Sequence, residues 1–262
     1  MRRRIALCRY PAETCVRSVP RPTKDKEYIG NRILLALPLQ DFNRLHGHLR
    51  FVELRPGEVL CSPDSPGLNV HFINRGLVSL IKRMRNGDAV EIGVRGIEGV
   101  TEPEFFLGLD TPLFESVVQL PGSAFSIAKS TLQHHLHQSR SLKALMTAYA
   151  GTAVRHIAQI SACNRLHVLE QRICRWLLTA DDNALGTALP INQGTLAATL
   201  GVHRPGVSIA LTRLQTAGLV KYAKGHVTII DRDEIEALAC ECYRSMRADF
   251  DAMFPKRSRI AL

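Results

Sequence analysis

The sequence predicts an α+β chain: a β-rich N-terminal barrel or roll, one long helix, and a C-terminal helix-turn-helix followed by a hairpin. Three observations predict it. Between residues 51 and 96, turn signals arrive every eight to twelve positions and separate short β-prone runs. Between residues 142 and 160, apolar side chains recur at gaps of three and four. From Pro190 to Ile230 the chain runs forty-one residues without an Asp or Glu, although 24 of its 262 residues are acidic.

Composition sets the outer bounds. A chain of 262 residues can bury two separate cores. No run approaches the eighteen apolar residues of a membrane span. The opening MRRRIALCRYPAETCVRS is basic and lacks an apolar signal core, so a cytoplasmic location is expected. Seven cysteines, an odd number, suit reduced thiols better than a disulfide framework. The net charge is +10 and unevenly spread. Residues 129–180 hold seven Lys/Arg and one acid, whereas the C-terminal acids gather at Asp181-Asp182 and at Asp231–Glu236, outside the acid-free window. That separation predicts a C-terminal domain with one basic face.

Residues 1–29, interrupted by Pro11, Pro20 and Pro22, read as a flexible basic arm. Ile33, Leu34, Leu37, Phe42 and Leu45 give residues 31–49 a helical pattern that Pro38 breaks. Turn signals follow at Arg55-Pro-Gly57, Ser65-Pro-Gly67, Asn74-Arg-Gly76, Asn86-Gly87 and Arg95-Gly96. The runs between them, such as Val70–Ile73, Leu77–Ile81 and Ala89–Gly93, read as separate short strands of an all-β barrel or roll. Asn86-Gly87 marks a hairpin. Leu142, Met146, Tyr149, Ala153, Ile157 and Ile160 then form a stripe with the spacing of a two-chain seam; one amphipathic helix packed on its own roll would show the same spacing. Val168, Leu169, Ile173, Trp176 and Leu177 begin a further helix.

The acid-free segment divides into short units. Asn192 is placed to cap a helix containing Gln193, Leu196, Ala197 and Leu200, and Gly201 to stop it. Val202-His203 makes a tight connection. Pro205 then sits in the first turn of a second helix, where its missing N–H costs nothing. Val207, Ala210, Leu211 and Leu214 give that helix its apolar face, and Gly218 ends it. Residues 219–222 and 226–230 form a hairpin joined at Lys224-Gly225. Arg204, Arg213, Lys221 and Lys224, with His203 and His226, are the basic groups in the segment. A surface that docks against phosphates excludes carboxylates, because each would repel the partner, so the expected partner is double-stranded DNA. No nucleophile–base pair, metal cluster or Gly-rich phosphate loop points to an enzyme.

LAATLGVHRPGVSIALTRLQTAGLV resembles the helix-turn-helix core of the Crp/Fnr family of bacterial transcription regulators, and Lys224-Gly-His-Val-Thr-Ile229 is similar to the family's wing. The resemblance extends upstream to about Asn31. It implies a cyclic-nucleotide-binding-like β-roll over residues 30–138, a dimerisation helix over 139–165 and a winged helix-turn-helix over 166–262. It further implies a homodimer, with the stripe from Leu142 to Ile160 at its interface, and RNA polymerase as a partner. Two recognition helices about 34 Å apart would then read a palindromic operator. By the same resemblance Arg204 opens the recognition helix and contacts a guanine. Ser208 lies one turn on, Gly206 permits close approach, and Asn192, Gln193, His203, Lys224 and His226 meet the backbone, with Arg213 further along. Pro205 and Ile209 stand where the cyclic-AMP receptor has an acidic base reader and a second Arg, so that operator does not transfer.

Family members that bind a cyclic nucleotide share a Gly-Glu pair and a downstream Arg-Ser pair around the phosphate. Here Glu98-Gly99 is reversed and Glu115 stands where the Arg is expected. Residues 98–115 contain Glu98, Glu102, Glu104, Asp110 and Glu115 and no Lys or Arg. Cyclic AMP and cyclic GMP are therefore expected not to bind, and no cofactor is expected. Cys8 and Cys15 lack the companions an iron–sulfur cluster needs. Cys240-Glu-Cys242, read on a helix, points one thiol to the core and one outward, which allows a redox switch. His134 and His137 could share a helix face, but two ligands make a poor metal site. The signal stays open at this stage among a cyclic nucleotide, a redox change and a metal, and a ligand-binding module without DNA activity is the reading from another class.

Overall fold

A computed structural model describes residues 29–184 and 188–254 of the chain. The basic arm with Cys8 and Cys15 lies outside the described residues. Asn31 opens the fold as the cap of α1 (Arg32–Ala36), accepting from Leu34 N, while its amide donates to the Ile73 and Gly99 carbonyls at 2.8 and 2.7 Å. Pro38 precedes α2 (Leu39–His46), as its break in the helical pattern predicts. Leu34, Leu45 and Phe42 seal one end of the roll.

The roll is a five-stranded antiparallel sheet made of β1 (Arg50–Leu54), β2 (Val59–Cys61), β3 (Asn69–Arg83), β4 (Ala89–Arg95) and β5 (Glu115–Ala128). The strand order is β1-β5-β3-β4, with β2 also on β5. The expectation of separate strands at Val70–Ile73 and Leu77–Ile81 is corrected: both belong to β3. Asn74-Arg-Gly76 is an irregularity in its pairing with β5 and not a turn. Gly76 adopts φ +88°, and a Cβ there would come 2.7 Å from the Leu120 carbonyl, so the chain bends and continues. Asn86-Gly87 does lie in a hairpin, within the loop between Arg83 and its partner Ala89.

Three helices follow: α3 (Lys129–Gln138), α4 (Arg140–Leu166) and α5 (Leu169–Asn183). Ser139 caps α4 by accepting from Leu142 N. The stripe expected at a two-chain seam faces the chain's own interior instead. Leu142, Met146 and Tyr149 join a core with Ile33, Phe72 and Phe125, Ala153 and Ile160 are buried, and Ile157 is half-buried. Tyr149 Oη fixes the orientation, accepting from Val100 N at 3.1 Å and donating to Val100 O at 3.2 Å. The period of a stripe identifies a packed face without saying which body packs on it. The outward face of α4 carries Ala144, Ala148, Gly151, Val154, Ala158 and Ala162.

The C-terminal part holds β6 (Ala188–Leu189), α6 (Gln193–Leu200), α7 (Arg204–Thr216), β7 (Val220–Ala223), β8 (His226–Ile229), α8 (Arg232–Leu238) and α9 (Cys242–Met253). Its small sheet has the order β6-β8-β7. One core joins Trp176 and Leu177 of α5 to Leu196, Leu200, Val207, Leu211, Val227 and Ile229. This part packs directly on the roll, where Gly201 faces Val90 and Ile97 N donates to Asn183 Oδ1 at 3.0 Å. Among the described residues no helix is long and apolar enough to cross a membrane.

Candidate nucleic-acid interface

The helix-turn-helix is built as its sequence signals require. Asn192 caps α6 by accepting from Thr195 N at 2.8 Å, and Gly201 terminates it in the left-handed region at φ +62°. Arg172 of α5 donates to the Leu200 carbonyl, satisfying an orphan acceptor at the end of α6. Val202 and His203 connect the helices, and α7 starts at Arg204 with Pro205 in its first turn. Val207, Ala210, Leu211 and Leu214 are buried, which turns the opposite face of α7 outward.

That face carries Arg204, Pro205, Ile209, Thr212 and Arg213, all exposed, with Ser208 half-buried at its edge. Ile209 is 56% exposed and places an apolar side chain in the middle of this face. Thr212 belongs to the same face and was not singled out from sequence; its spacing of eight residues from Arg204 was the available signal. Arg213 approaches Glu170 at 3.9 Å and remains mostly exposed, so its charge is only loosely engaged. Gly206 has another role than the one expected from the resemblance. A Cβ there would meet Leu169 Cδ2 at 3.1 Å, so the missing side chain lets the first turn of α7 pack on α5.

The hairpin presents a second cationic element beside α7. Ala223 pairs with His226, leaving Lys224 and Gly225 as a two-residue loop with φ +49° and +76°. Two positive φ values identify a type I′ turn, whose twist matches the strands. Lys224 is a non-Gly residue held in the left-handed region, and its exposed side chain stands at the tip. His226 Nδ1 lies 3.0 Å from the Lys224 carbonyl. Asn192 and His203 are exposed and Gln193 is half-buried, so the cap residues of both helices lie at the surface.

The displaced acids are not all on the far surface. Asp181 is buried and Asp182 half-buried, both pair with Arg232, and Tyr243 Oη donates to Asp182 at 2.8 Å. They hold α5 to α8 and α9, so the expected negative pole is smaller than the sequence alone implies.

In the roll, a 3₁₀-helix (Pro103–Leu107) follows β4, and Glu102 before it adopts φ +54°. Glu102 and Glu104 are buried beside Cys61 and Ser116. Burial raises the Glu102 carboxyl above its usual range despite Lys129 at 2.5 Å, and pushes the Cys61 thiol up to about 12. Leu113 N donates to Glu104 at 2.9 Å. Glu115 is not left facing inward alone: Arg83 across the ladder takes its carboxylate at 2.9 Å. Sequence counting missed Lys129 and Arg83 because they lie outside the acid-only stretch and reach it only through sheet pairing.

The two cysteines of Cys240-Glu-Cys242 are both buried, against the expectation of one inside and one out. The helix assumed there is broken: α8 ends at Leu238, Ala239 is extended, and α9 begins at Cys242. His134 pairs with Gln138 at 2.9 Å.

Comparison with known proteins gives the same architecture. Residues 171–238 match the Crp-like helix-turn-helix domain family. The structure of FixK2 from Bradyrhizobium japonicum is similar with a TM-score of 0.61 at 17% identity, over 73% of this chain and 98% of that one. A Crp/Fnr-family regulator from Eubacterium rectale gives 0.60 at 16% identity over 77% and 94%. CLP of Xanthomonas campestris, described as a c-di-GMP-responsive global regulator, gives 0.55 at 20% identity over 73% and 99%. No curated protein matches the chain. The chain therefore has the fold of the Crp/Fnr transcription regulators, and its residues 171–238 match the Crp-like helix-turn-helix domain.

Proposed function

We propose that this protein is a dimeric, sequence-specific transcription regulator that reads a palindromic operator through α7. The observation that carries the proposal is the exposed, acid-free face built by Arg204, Ser208, Ile209, Thr212 and Arg213, with Lys224 on the adjoining hairpin tip. Cations there meet phosphates without a carboxylate from the same segment, and a helix offered by its N-terminal residues fits the major groove. Arg204 takes a guanine edge. Asn192, Gln193, His203, Lys224 and His226 position the backbone. Ile209 covers a thymine methyl. The regulator works as a soluble cytoplasmic protein on DNA, with RNA polymerase as its downstream partner, and not as an enzyme.

The homodimer forms through the outward face of α4. Ala144, Ala148, Gly151 and Ala158 allow a second helix to approach closely, while Val154 and Leu166, both exposed, supply apolar area. The roll does not take cyclic AMP or cyclic GMP. Buried Glu102 and Glu104 occupy the region next to Cys61 and Ser116, and Lys129 is already engaged by Glu102. A cyclic phosphate placed there meets carboxylates in low dielectric.

The test is a gel shift on the DNA upstream of the protein's own coding region, repeated across a salt series. A discrete complex that outlasts competitor DNA, with log affinity falling linearly against log salt concentration, is expected. Binding that competitor DNA removes equally well would overturn the specific reading.

A further inference from the structure

Four metal-ligating side chains from two distant segments meet where α4 ends. Cys163 lies in the last turn of α4 and His167 four residues on, at its C-cap. Cys240 and Cys242 flank Glu241 in the joint between α8 and α9. Their ligand atoms all lie within 4.8 Å of one another. Cys163 Sγ is 3.6 Å from Cys240 Sγ, and Cys242 Sγ is 3.6 Å from His167 Nδ1. A tetrahedral zinc ion, with bonds of about 2.3 Å to sulfur and about 2.0 Å to nitrogen, sets S···S and S···N edges of roughly 3.8 and 3.5 Å. One S···S and one S···N separation thus already stand near those edges, and no pair of ligand atoms is more than 4.8 Å apart.

We propose that Cys163, His167, Cys240 and Cys242 form a Cys₃His site for a soft divalent metal, zinc by its ligand chemistry, which ties the α8–α9 joint to the end of α4. The surroundings are those of a ligand set. His167 Nε2 lies 3.1 Å from the Glu241 carboxylate, so it donates there and leaves Nδ1 turned toward the thiols. This carboxylate–imidazole pairing fixes the tautomer a metal needs. Gln159 Nε2 donates to Cys242 Sγ at 3.0 Å. Arg172 and Arg175 act electrostatically on Cys163, offsetting the surplus negative charge of three thiolates around a divalent ion. The three cysteines are buried while His167 reaches the surface, giving the ion an entry side. Three soft sulfurs and one imidazole, closed on all four sides, suit a structural zinc rather than a hard cation.

The test needs no DNA, so its failure is separate from failure of the regulator reading. Full-length protein is reduced, stripped with a chelator, titrated with Co²⁺ and then with Zn²⁺. One Co²⁺ per chain, with the absorption of tetrahedral thiolate-ligated cobalt, displaced by one Zn²⁺, is expected. Glu241→Gln changes a side chain that is 74% exposed and leaves the four ligands in place; it should weaken zinc binding by about tenfold to a hundredfold with the circular dichroism unchanged. Folded wild-type protein that gives no tetrahedral cobalt spectrum would overturn the site. So would a spectrum that survives the double substitution Cys240→Ser and Cys242→Ser, or a Cys163–Cys240 disulfide recovered from protein loaded with zinc.

Discussion

The indole of Trp176, in α5, donates a hydrogen bond of 3.0 Å to the carboxyl of Glu91 on β4, the edge strand of the roll. Ser79 Oγ donates to the other oxygen. The two residues are 85 positions apart and both buried, so one polar contact joins the two halves of the chain inside their interface. Burial pushes the Glu91 carboxyl up to about 7 despite these donors and the nearby Arg175. An unfolded chain releases that proton near pH 4.3. Between those values the folded state holds more protons, so the stability from the neutral carboxyl is complete below about pH 4.3 and is lost as pH rises through about 7.

Glu91→Gln removes this dependence. The stability of the wild type relative to Glu91→Gln should fall by about 3 kcal/mol as pH rises from 4 to 8. Chemical denaturation across that range reads it, and parallel curves would contradict it. Trp176→Phe, which leaves a buried acceptor short of a donor, should cost about 1–3 kcal/mol at neutral pH.

Lys224 combines a strained backbone with an exposed charge, and one substitution separates them. Asn is preferred in a type I′ turn, so Lys224→Asn should keep or slightly raise thermal stability. The same change removes one phosphate contact, and the slope of log affinity against log salt should drop by about 1. An unchanged slope would take Lys224 out of the interface.

The orientation of α4 separates fold from association. A Cβ added at Gly151 would meet nothing within 4 Å, whereas Leu142 is 2% exposed. Gly151→Arg should convert the dimer to a folded monomer in analytical ultracentrifugation. Leu142→Ala should cost about 2–5 kcal/mol of stability and leave association intact. The reverse pattern would restore the stripe from Leu142 to Ile160 as the interface.

Calorimetry with cyclic AMP and cyclic GMP should show affinity weaker than about 1 mM. Micromolar binding would mean that Glu102 and Glu104 rearrange to admit the phosphate.

What the sequence made legible follows from the range of the interactions involved. The α6–turn–α7 unit was readable because Asn192, Gly201, Pro205 and Gly218 act within one or two turns of where they stand. The Lys224-Gly225 hairpin was readable for the same reason. Long-range partners were not. The continuity of β3 through Asn74-Arg-Gly76 depends on β5, and the inward face of α4 depends on where the roll lies. Cys163 and Cys240 are 77 residues apart, and the break at Ala239 that turns Cys240 and Cys242 inward has no Pro or Gly to announce it. Gly206 looked like room for DNA and proves to be room for Leu169.

Arg204 and its neighbours on α7 are proposed to read DNA sequence. Selection of bound duplexes from a randomised pool, run in parallel with wild type and Arg204→Ala, tests it most directly. The wild type should enrich an inverted repeat with half-site centres about one helical turn apart. Arg204→Ala should bind about 1–3 kcal/mol more weakly and lose preference at one guanine in each half-site. No enriched motif with the wild type, or the same motif at the same affinity with Arg204→Ala, would mean that Arg204 does not read DNA sequence.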